Sequence, residues 1–427
     1  MKIVQLTPGA GTMYCGNCLR DNALVAALHR RGDDIGMLPL YLPLTLDEDD
    51  ESQGAPVFFG GISVYLSQKL SFFRYLPRFV HRMLASRQFL NWIGSRAAAT
   101  HPSQVGELTV SMLRGEKGNQ ARELEELCRW LKTVHRPDVV VFSNALLLGM
   151  HDEIKTETGC RTVCFLSGED GFLDELAEPF RTESWNLVRQ HVAEVDLLFA
   201  PSRYFARFME KYLDLPSERI QVLPLGLNLD GYEVDIPPPT EPVLGYFARM
   251  TEKKGLDTLV DAFIEVRRRG RFPTLKLKIG GGFSPWNEPF LVELEDKILL
   301  ADLRDDVEFQ PNLDRSEKIE FLKSLTLFSV PSRLNEPFGY FVLESQAAGV
   351  PGIFPNRGAF PEILDQTQGG VLFEPENSNS LADAVEELLG DEARRFELAE
   401  NARRAIGERF AIDIVAQRFI ETISGNP

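Results

Sequence analysis

Residues 332–364 read SRLNEPFGYFVLESQAAGVPGIFPNRGAFPEIL, and this stretch decides how the rest of the sequence is interpreted. Glu336 and Glu344 are separated by seven residues, and Gly339 lies between them, just before a predicted helix that begins near Tyr340. The unpaired N–H groups at a helix start, together with the positive end of its dipole, attract phosphate. Glu344, expected in the first helical turn, could accept hydrogen bonds from two neighbouring hydroxyls, as on a ribose. Glu336, in the loop before it, could hold the hydroxyls of a second ring, so the pattern suits a sugar nucleotide.

A proline-rich segment divides the sequence in two. DIPPPTEP (235–242) contains three consecutive prolines, which neither a helix interior nor a strand ladder accepts, so it predicts a linker. On both sides of it, short apolar runs alternate with segments of helical period, which is typical of a mostly parallel sheet covered by helices on both faces. We therefore predict an α/β protein with an N-terminal domain at 1–236 and a second domain at 242–408. A C-terminal helix within 409–427 could cross back to the first domain.

The same patterns predict individual elements. Asp314 with Glu317 three residues later forms a capping-box signature, which marks a helix start. A helix ending at Gly32 is predicted over 18–31. Another predicted helix has apolar residues recurring on one face, namely Leu124, Leu127, Cys128, Leu131 and Val134. Strands are predicted at 1–7, 137–142, 161–166, 195–200, 220–226, 242–248, 275–281, 307–309, 325–332, 351–355 and 371–375. Further helices are predicted at 255–269, 288–300, 340–348 and 411–423.

Composition excludes several classes of protein. The chain has 427 residues, too many for one ordinary core, and a net charge of −17, which argues against a general nucleic-acid binder because polyanions are bound by clustered cations. No run approaches the roughly 18–20 apolar residues of a membrane span. The N-terminus does not resemble a secretory signal, and five cysteines are few for this length, which fits a reducing compartment. We expect a cytoplasmic protein.

A long insertion at about 41–119 interrupts the first domain. It opens with the acidic run DEDDE (47–51), which contains an Asp-x-Asp pattern but is better interpreted as a solvated loop than as a metal site. Within it, residues 69–96 carry six Lys or Arg, no Asp or Glu, and several interleaved aromatic residues. A local core with a solvated rim is one interpretation of this segment. The alternative is peripheral contact with anionic lipid, at the inner face of the membrane, or with a lipid-linked acceptor.

Four segments in order resemble glycosyltransferase family 4, whose members retain anomeric configuration and have the GT-B fold. Residues 332–364 resemble the family's Glu-x7-Glu signature, and GYFARMTEKKGLDTLVDAF (245–263) its Arg…Lys-Gly element. KIGGG (278–282) is similar to the glycine-rich turn after the next strand, and LPLGLNLDGY (223–232) to the element before the linker. RGAFPEIL (357–364) resembles the Gly-Gly-x-Pro-Glu segment, with Arg357 departing from its first glycine.

The resemblance implies two Rossmann-like domains facing across a cleft, with a nucleotide-diphosphate sugar bound to the second. By this match Arg249 and Lys254 grip the donor diphosphate, and Glu336 completes the catalytic group. A leaving diphosphate needs fixed positive charge, which the fork of an arginine and the compact charge of a lysine supply, so neither a metal nor a cofactor is expected. The implied mechanism is front-face substitution, in which the departing phosphate deprotonates the acceptor. The remaining donor-binding positions implied are Glu344, Gly280, Gly281, Gly339, Tyr340 and Phe341.

The acceptor side is expected in the first domain. PGAGTMYCGNCLRD (8–21) follows the first strand, and it lacks the third glycine of a dinucleotide-binding Gly-x-Gly-x-x-Gly loop. By resemblance this loop faces the cleft, which makes Gly9, Gly11 and Thr12 acceptor-side candidates. Many relatives have a His-Gly pair after the strand corresponding to 161–166; here Ser167 takes the histidine's place, and Glu169 and Asp170 could take over part of its role.

The two cysteines of that loop leave three interpretations open. Cys15 and Cys18 could be a reactive dithiol at a helix start, half of a zinc site with Cys160 and Cys164, or free buried thiols. The third is the commonest situation for such residues.

The predicted function is retaining, metal-independent transfer of a sugar, of the hexosyltransferase class, from a nucleotide sugar to a carbohydrate or lipid-linked acceptor. Two alternatives remain: a nucleotide-sugar epimerase of the same fold, and a non-catalytic protein that binds nucleotide sugars. The second is suggested by Ser167.

Overall fold

The structure, a computed structural model, describes residues 1–9, 16–44, 46–52, 55–59, 105–233 and 239–425. The chain divides into two compact units. The first unit comprises Met1–Leu223 and Ala416–Pro427, and the second comprises Pro224–Val415. Both are built from parallel strands and flanking helices, so the predicted α/β class is confirmed.

The first unit contains one parallel sheet, with the strand order β2-β1-β3-β4-β5-β6 among the described residues. Its strands are β1 (Lys2–Thr7), β2 (Asp34–Pro39), β3 (Val139–Phe142), β4 (Arg161–Phe165), β5 (Leu197–Ala200) and β6 (Ile220–Val222). The central strands are buried along nearly their whole length, because helices cover both faces of the sheet. The chain reverses its direction of strand addition between β1 and β3, which is where α/β sheets bind ligands, at the carboxyl ends of the strands.

The helices of the first unit include α1 (Gly16–Arg30), α2 (Gly106–Leu113), α3 (Ala121–Trp130), α4 (His151–Thr158), α5 (Asp170–Leu173), α6 (Phe180–Glu194) and α7 (Arg203–Tyr212). The prediction that Val134 shares the apolar face of α3 was wrong. The α-helix ends at Trp130 and continues as a wider π turn, Leu131–His135, which rotates Val134 outward to 64% exposure. Leu124, Leu127, Cys128 and Leu131 are buried as predicted.

The second unit contains another parallel sheet, with the order β12-β11-β10-β7-β8-β9 among the described residues. Its strands are β7 (Val243–Phe247), β8 (Lys276–Gly281), β9 (Val307–Pro311), β10 (Leu327–Phe328), β11 (Gly352–Pro355) and β12 (Gly370–Phe373). The reversal point of this sheet lies between β7 and β10. The strand predicted over 325–332 is only two residues long, because the chain beyond it forms the loop that carries Glu336.

The helices of the second unit are α8 (Leu256–Arg269), α9 (Glu288–Leu300), α10 (Arg315–Lys323), α11 (Tyr340–Ala347), α12 (Phe360–Thr367), α13 (Ser378–Gly390) and α14 (Glu392–Ala405). The predicted capping box starts α10: the Asp314 carboxylate accepts from the Glu317 N–H, and the Glu317 side chain accepts from the Asp314 N–H.

The last helix, α15 (Ile412–Ile423), begins in the second unit, and its residues from Ala416 onward belong to the first. Phe419 is fully buried, with its ring centroid 6.0 Å from that of Phe165 and 5.8 Å from that of Phe199. The Arg161 guanidinium donates to the carbonyl oxygen of Ile423, at 2.5 Å. Within the described part of the chain, no helix combines the length and the apolar character needed to cross a bilayer.

Candidate functional site

The candidate site of the second unit lies at the carboxyl ends of β7 and β10, where the strand order reverses. Arg249 and Lys254 follow β7, and Glu336 follows β10. These strands are neighbours and parallel, so the loops that leave them rise from the same edge of the sheet. This is the position where open α/β sheets bind ligands.

Lys254 and Glu336 form a buried ion pair. The Lys254 Nζ lies 2.5 Å from the Glu336 Oε1, and the two side chains are 12% and 10% exposed. The Ser332 hydroxyl donates to the same carboxylate oxygen, at 2.6 Å. A lysine and a carboxylate 82 positions apart in sequence thus meet at one point, with both charges largely removed from water.

Further bonds hold the Glu336 loop in place. The Arg333 guanidinium donates to Asp257 Oδ2 on α8 at 2.5 Å, and its backbone N–H donates to the Lys253 carbonyl at 3.0 Å. On the other side, the Glu336 carbonyl accepts from the N–H of Ala359 at 3.0 Å. The loop is therefore fastened both to the segment that carries Lys254 and to the start of α12.

Arg357, the departure from the family's glycine, contributes to this fastening. Its guanidinium donates to the Arg333 carbonyl at 2.5 Å and to Glu376 Oε1 at 2.7 Å. The larger side chain thus acts as a brace between the Glu336 loop and the segment after β12.

Arg249 is connected to the pair through Tyr246. Tyr246 is fully buried on β7, and its hydroxyl donates to the Arg249 carbonyl at 2.7 Å. Burial raises the pKa of Tyr246 well above its usual value, the charge of Glu336 raises it further, and the charge of Arg249 lowers it. Arg249 and Glu336 therefore act on the same hydroxyl, and the Arg249 residue is exposed to solvent.

Glu344 is held by a lysine that no sequence motif marks. The helix α11 begins at Tyr340 as predicted, but Glu344 is its fifth residue and therefore lies in the second turn, not in the first turn as expected. Its Oε1 accepts a bond from Lys318 Nζ on α10 at 2.7 Å, and the two side chains are 10% and 8% exposed. Each glutamate of the signature is thus paired with a lysine whose side chain is largely shielded from solvent.

The start of α11 depends on its glycine. Gly339 is the N-terminal cap with φ at 111°, a conformation that disfavours a side chain. The Tyr340 hydroxyl donates to the Gly226 carbonyl at 2.6 Å, which anchors the first turn. Phe341 packs among Phe328, Phe354 and Phe360, and Lys254 Nζ lies 5.7 Å from its ring centroid. The Lys254 ammonium group therefore lies within cation–π distance of this ring.

The glycine turn after β8 allows a close approach of backbone. At Gly281, φ is 117°, and a Cβ there would lie 2.0 Å from the Ala248 carbonyl oxygen. A Cβ on Gly280 would lie 2.7 Å from the ring of Phe247. Both predicted glycines are therefore required by the packing of this turn against the segment that leads to Arg249.

The first unit has a buried polar centre at its own reversal point. Arg20 and Asp21 lie on α1, and the Arg20 Nη2 is 2.5 Å from Asp21 Oδ1. Asp21 also accepts from the Thr7 hydroxyl at 2.8 Å, at the end of β1. The Arg20 guanidinium donates to the Ser143 carbonyl at 2.7 Å and to the Ser167 hydroxyl at 2.6 Å. Arg20 and Asp21 together therefore connect the ends of β1, β3 and β4.

Ser167 and Glu169 both belong to this centre. The Glu169 carboxylate accepts from the N–H of Ala145 at 2.9 Å and from the N–H of Ser167 at 2.8 Å. Burial raises the pKa of Glu169, and it also raises the pKa of Asp170, whose Oδ1 is buried without a hydrogen-bond partner among the described residues. The Glu169 carboxylate thus joins the Ser167 loop to the segment after β3 through these two hydrogen bonds.

Several predicted positions of the first unit lie outside the described residues. These are Gly11, Thr12, Cys15 and the basic segment 69–96. Gly9 is described: its φ is 75°, and a Cβ would lie 1.8 Å from the Leu42 carbonyl oxygen, so this position requires glycine.

The other cysteines are buried. Cys18, Cys128, Cys160 and Cys164 all lie in the buried interior. Burial raises the pKa of the Cys128 thiol to about 12, and it also raises the pKa of Cys160 and of Cys164. In the described ranges, no group of three or more His, Cys, Asp or Glu residues is arranged to hold a metal ion.

Two family models match the chain. Residues 234–405 match the model of the glycosyl transferases group 1, and residues 104–230 match that of glycosyltransferase family 4.

Curated relatives match over part of their length. A D-inositol 3-phosphate glycosyltransferase of Xylanimonas cellulosilytica is 29% identical over 248 residues, which cover 54% of this chain and 57% of that protein. A GDP-mannose-dependent alpha-(1-6)-phosphatidylinositol monomannoside mannosyltransferase of Mycobacterium tuberculosis is 27% identical over 227 residues, 49% of this chain and 57% of that protein. The chain thus spans little more than half the length of these relatives.

Solved structures match over the whole chain. Sucrose-phosphate synthase of Thermosynechococcus elongatus has a TM-score of 0.71 at 18% identity, covering 99% of this chain and 98% of that one. HepE of Anabaena, in complex with UDP, has a TM-score of 0.67 at 16% identity, with both chains fully covered. At such identities the likeness establishes the fold.

Between them the two family models match most of the chain, and the solved structures share its two-unit α/β fold. The protein belongs to glycosyltransferase family 4, the group 1 glycosyltransferases with the GT-B fold.

Proposed function

We propose that this chain transfers a sugar, with retention of configuration, from a nucleoside-diphosphate sugar to a carbohydrate or lipid-linked acceptor. The observation that carries the proposal is the grouping of Arg249, Lys254 and Glu336 at the reversal point of the second sheet, with Glu344 on the helix that follows. This grouping combines fixed positive charge for a diphosphate with carboxylates for hydroxyl groups, which a nucleotide sugar requires.

Arg249 and Lys254 stabilise the leaving diphosphate in this proposal. Negative charge grows on the diphosphate as the bond to the sugar breaks, and charges already fixed in a water-poor site stabilise it most effectively. Lys254 is prearranged by Glu336, at 2.5 Å, so little reorganisation accompanies the step. Neither a metal nor a cofactor is required by this arrangement, and the departing phosphate oxygen takes the acceptor's proton.

Glu336 and Glu344 bind hydroxyl groups. Glu344 accepts from the ribose of the donor, and Glu336 accepts from the transferred sugar. The turn at Gly280 and Gly281 and the first turn of α11, from Gly339 to Phe341, complete the donor site through their backbone groups. The first unit binds the acceptor, through the Ser167 loop with Glu169 and Asp170 and through the loop that contains Gly9, Gly11 and Thr12.

A transfer assay tests the proposal. The purified chain is incubated with GDP-mannose, UDP-glucose and ADP-glucose, each with inositol phosphate or a phosphatidylinositol mannoside as acceptor. Acceptors of this kind come first because the names of the two curated relatives specify them. We expect a glycosylated product in which the anomeric proton has the configuration of the donor, equal activity in EDTA, and loss of product in Glu336→Gln.

Other results would overturn parts of the proposal. A product of inverted configuration would exclude retention, and activity restored only by added metal would exclude the metal-independent mechanism. Interconversion of donors without transfer would favour the epimerase, and donor binding without turnover in both the wild type and Glu336→Ala would favour a non-catalytic binding protein.

Contact of residues 69–96 with membranes is part of the proposal, and liposomes test it separately. Replacing the six Lys and Arg residues of this segment by Gln should abolish sedimentation with anionic vesicles. Unchanged sedimentation would refute the contact.

A further inference from the structure

The burial of the Lys318–Glu344 pair carries a large desolvation cost, and a contribution to folding stability does not explain why the pair is there. Lys318 Nζ lies 2.7 Å from Glu344 Oε1, and the side chains are 8% and 10% exposed. Removing two charges from water costs about as much as their attraction returns, so a well-packed apolar pair would serve stability equally well. The pair therefore calls for a role beyond holding α10 to α11.

The helix that carries Lys318 is fixed at both ends. At its start, the Arg315 guanidinium donates to the carbonyls of Asn228 and Asp230, at 3.0 Å each. At its end, Lys323 Nζ donates to the Gly231 carbonyl at 2.8 Å. Lys318 lies between these anchors, so its ammonium group is presented to Glu344 from a rigid support.

We infer that Lys318 is a positioning residue that orients the Glu344 carboxylate for two neighbouring hydroxyls of the donor's ribose. This inference rests on the proposed function, in which Glu344 binds that ribose. A carboxylate accepts about four hydrogen bonds, so one bond from Lys318 fixes its rotation and leaves capacity for a diol. A carboxylate fixed in this way loses less entropy when the diol binds.

The two lysines of the site contact different groups. Lys254 is paired with the other glutamate and, at 12% exposure, also faces the ring of Phe341 at 5.7 Å. The proposed function brings Lys254 to the diphosphate. Lys318 acts on the donor through Glu344, which makes it a determinant of nucleoside recognition and leaves the chemical step to other residues.

A comparison of nucleotides with and without the ribose diol tests this inference. Titration calorimetry measures the dissociation constants of UDP, GDP and ADP, and of their 2′,3′-dideoxy forms, for the full chain. For the base that binds best, we expect the wild type to bind the ribonucleotide at least about tenfold more tightly than the dideoxy form, since hydrogen bonds to a charged group are strong.

Variants of Lys318 should remove this preference selectively. In Lys318→Met, the ribonucleotide should lose about tenfold in affinity while the dideoxy form is unaffected, and the KM for the donor should rise with kcat nearly unchanged. Lys318→Gln keeps a neutral hydrogen-bond donor at this position and should show an intermediate preference for the ribonucleotide. If Lys318→Met does not fold, this second variant still allows the test.

Lys323→Met is the matched control, because Lys323 is a buried lysine of the same helix that bonds a backbone carbonyl. It should lower the melting temperature without altering the preference for ribose. A wild-type preference that persists in both Lys318 variants would overturn the inference alone. A wild type that binds both forms equally, or neither, would overturn the proposed ribose site and the inference with it.

Discussion

The Lys254–Glu336 pair gives a stability prediction that can be worked out from the structure. Lys254→Met removes the lysine and leaves the Glu336 carboxylate, 10% exposed, without its cation. Breaking a buried pair by removing one partner typically costs 3–5 kcal/mol, roughly, because the remaining charge stays uncompensated. The Ser332 hydroxyl still donates to Glu336 Oε1 at 2.6 Å, so we expect the lower end, about 3 kcal/mol.

Calorimetry measures this effect. For a unit of this size, about 1 kcal/mol corresponds to roughly 2–4 °C, so the melting temperature of the second unit should fall by roughly 6–12 °C. Lys276→Met is the matched control, since the Lys276–Glu241 pair is also short, at 2.6 Å, but 46% and 47% exposed. It should leave the melting temperature nearly unchanged.

A double variant separates the loss of the pair from a general packing effect. Lys254→Met/Glu336→Gln no longer contains the stranded charge, so it should be more stable than Lys254→Met alone. If the free-energy losses of the two substitutions instead add, the two side chains are not energetically coupled, which contradicts the uncompensated charge as the cause.

The remaining predictions concern three other places in the fold. Phe419→Ala should destabilise the first unit by about 3–5 kcal/mol, because the ring is fully buried against Phe165 and Phe199. The control Gln417→Ala, at an exposed position of the same helix, should leave the stability unchanged. Equal denaturation midpoints for the two variants would contradict the packing of α15. Gly281→Ala should abolish donor binding in calorimetric titration, because its Cβ would lie 2.0 Å from the Ala248 carbonyl oxygen. The control Gly282→Ala should retain donor binding, since its Cβ would have its nearest contact at 3.5 Å. Retained binding in both variants would show that the turn tolerates a side chain at Gly281. Asp170→Asn should be more stable than the wild type at pH 7. Burial raises the folded-state pKa of Asp170 above its unfolded value, so the wild type loses stability as the pH rises through that folded pKa. Near about pH 4, the unfolded pKa of an aspartate, the stability advantage of the Asn variant should vanish. Urea denaturation measured at several pH values checks this. A stability difference between Asp170→Asn and the wild type that does not depend on pH would show that the raised pKa of Asp170 is not its cause.

Much of the fold could be predicted because buried parallel strands are short apolar runs. The runs at 137–142 and 161–166 correspond to β3 and β4, and the capping box at Asp314 marks the start of α10. The strand β2 was not predicted: DIGMLP contains a glycine and a proline and lacks a continuous apolar run. The π turn that exposes Val134 has no signature in the hydrophobic period.

The partners in the site could not be predicted, since they are set by tertiary packing. Lys318 and Glu344 are 26 positions apart and meet only because α10 packs beside α11. Arg20 lies within a predicted helix, and no feature of the neighbouring sequence indicates that its guanidinium contacts Ser143 and Ser167, more than 120 positions away. The two glutamates and Lys254 could be identified from the sequence, whereas Lys318 and the pairing of each glutamate with a lysine are seen only in the structure.

Ligand-induced stabilisation tests the central claim, that the second unit binds a nucleotide sugar through Arg249 and Glu344, most directly. The melting temperature of the full chain is measured with UDP-, GDP- and ADP-sugars, for the wild type, Arg249→Ala and Glu344→Ala. A ligand at 100 times its dissociation constant stabilises the folded state by about 2.7 kcal/mol, so at least one donor should raise the melting temperature of the wild type. We predict that both variants lose this shift. An unchanged shift in both, or no shift with any donor, would contradict binding through these residues.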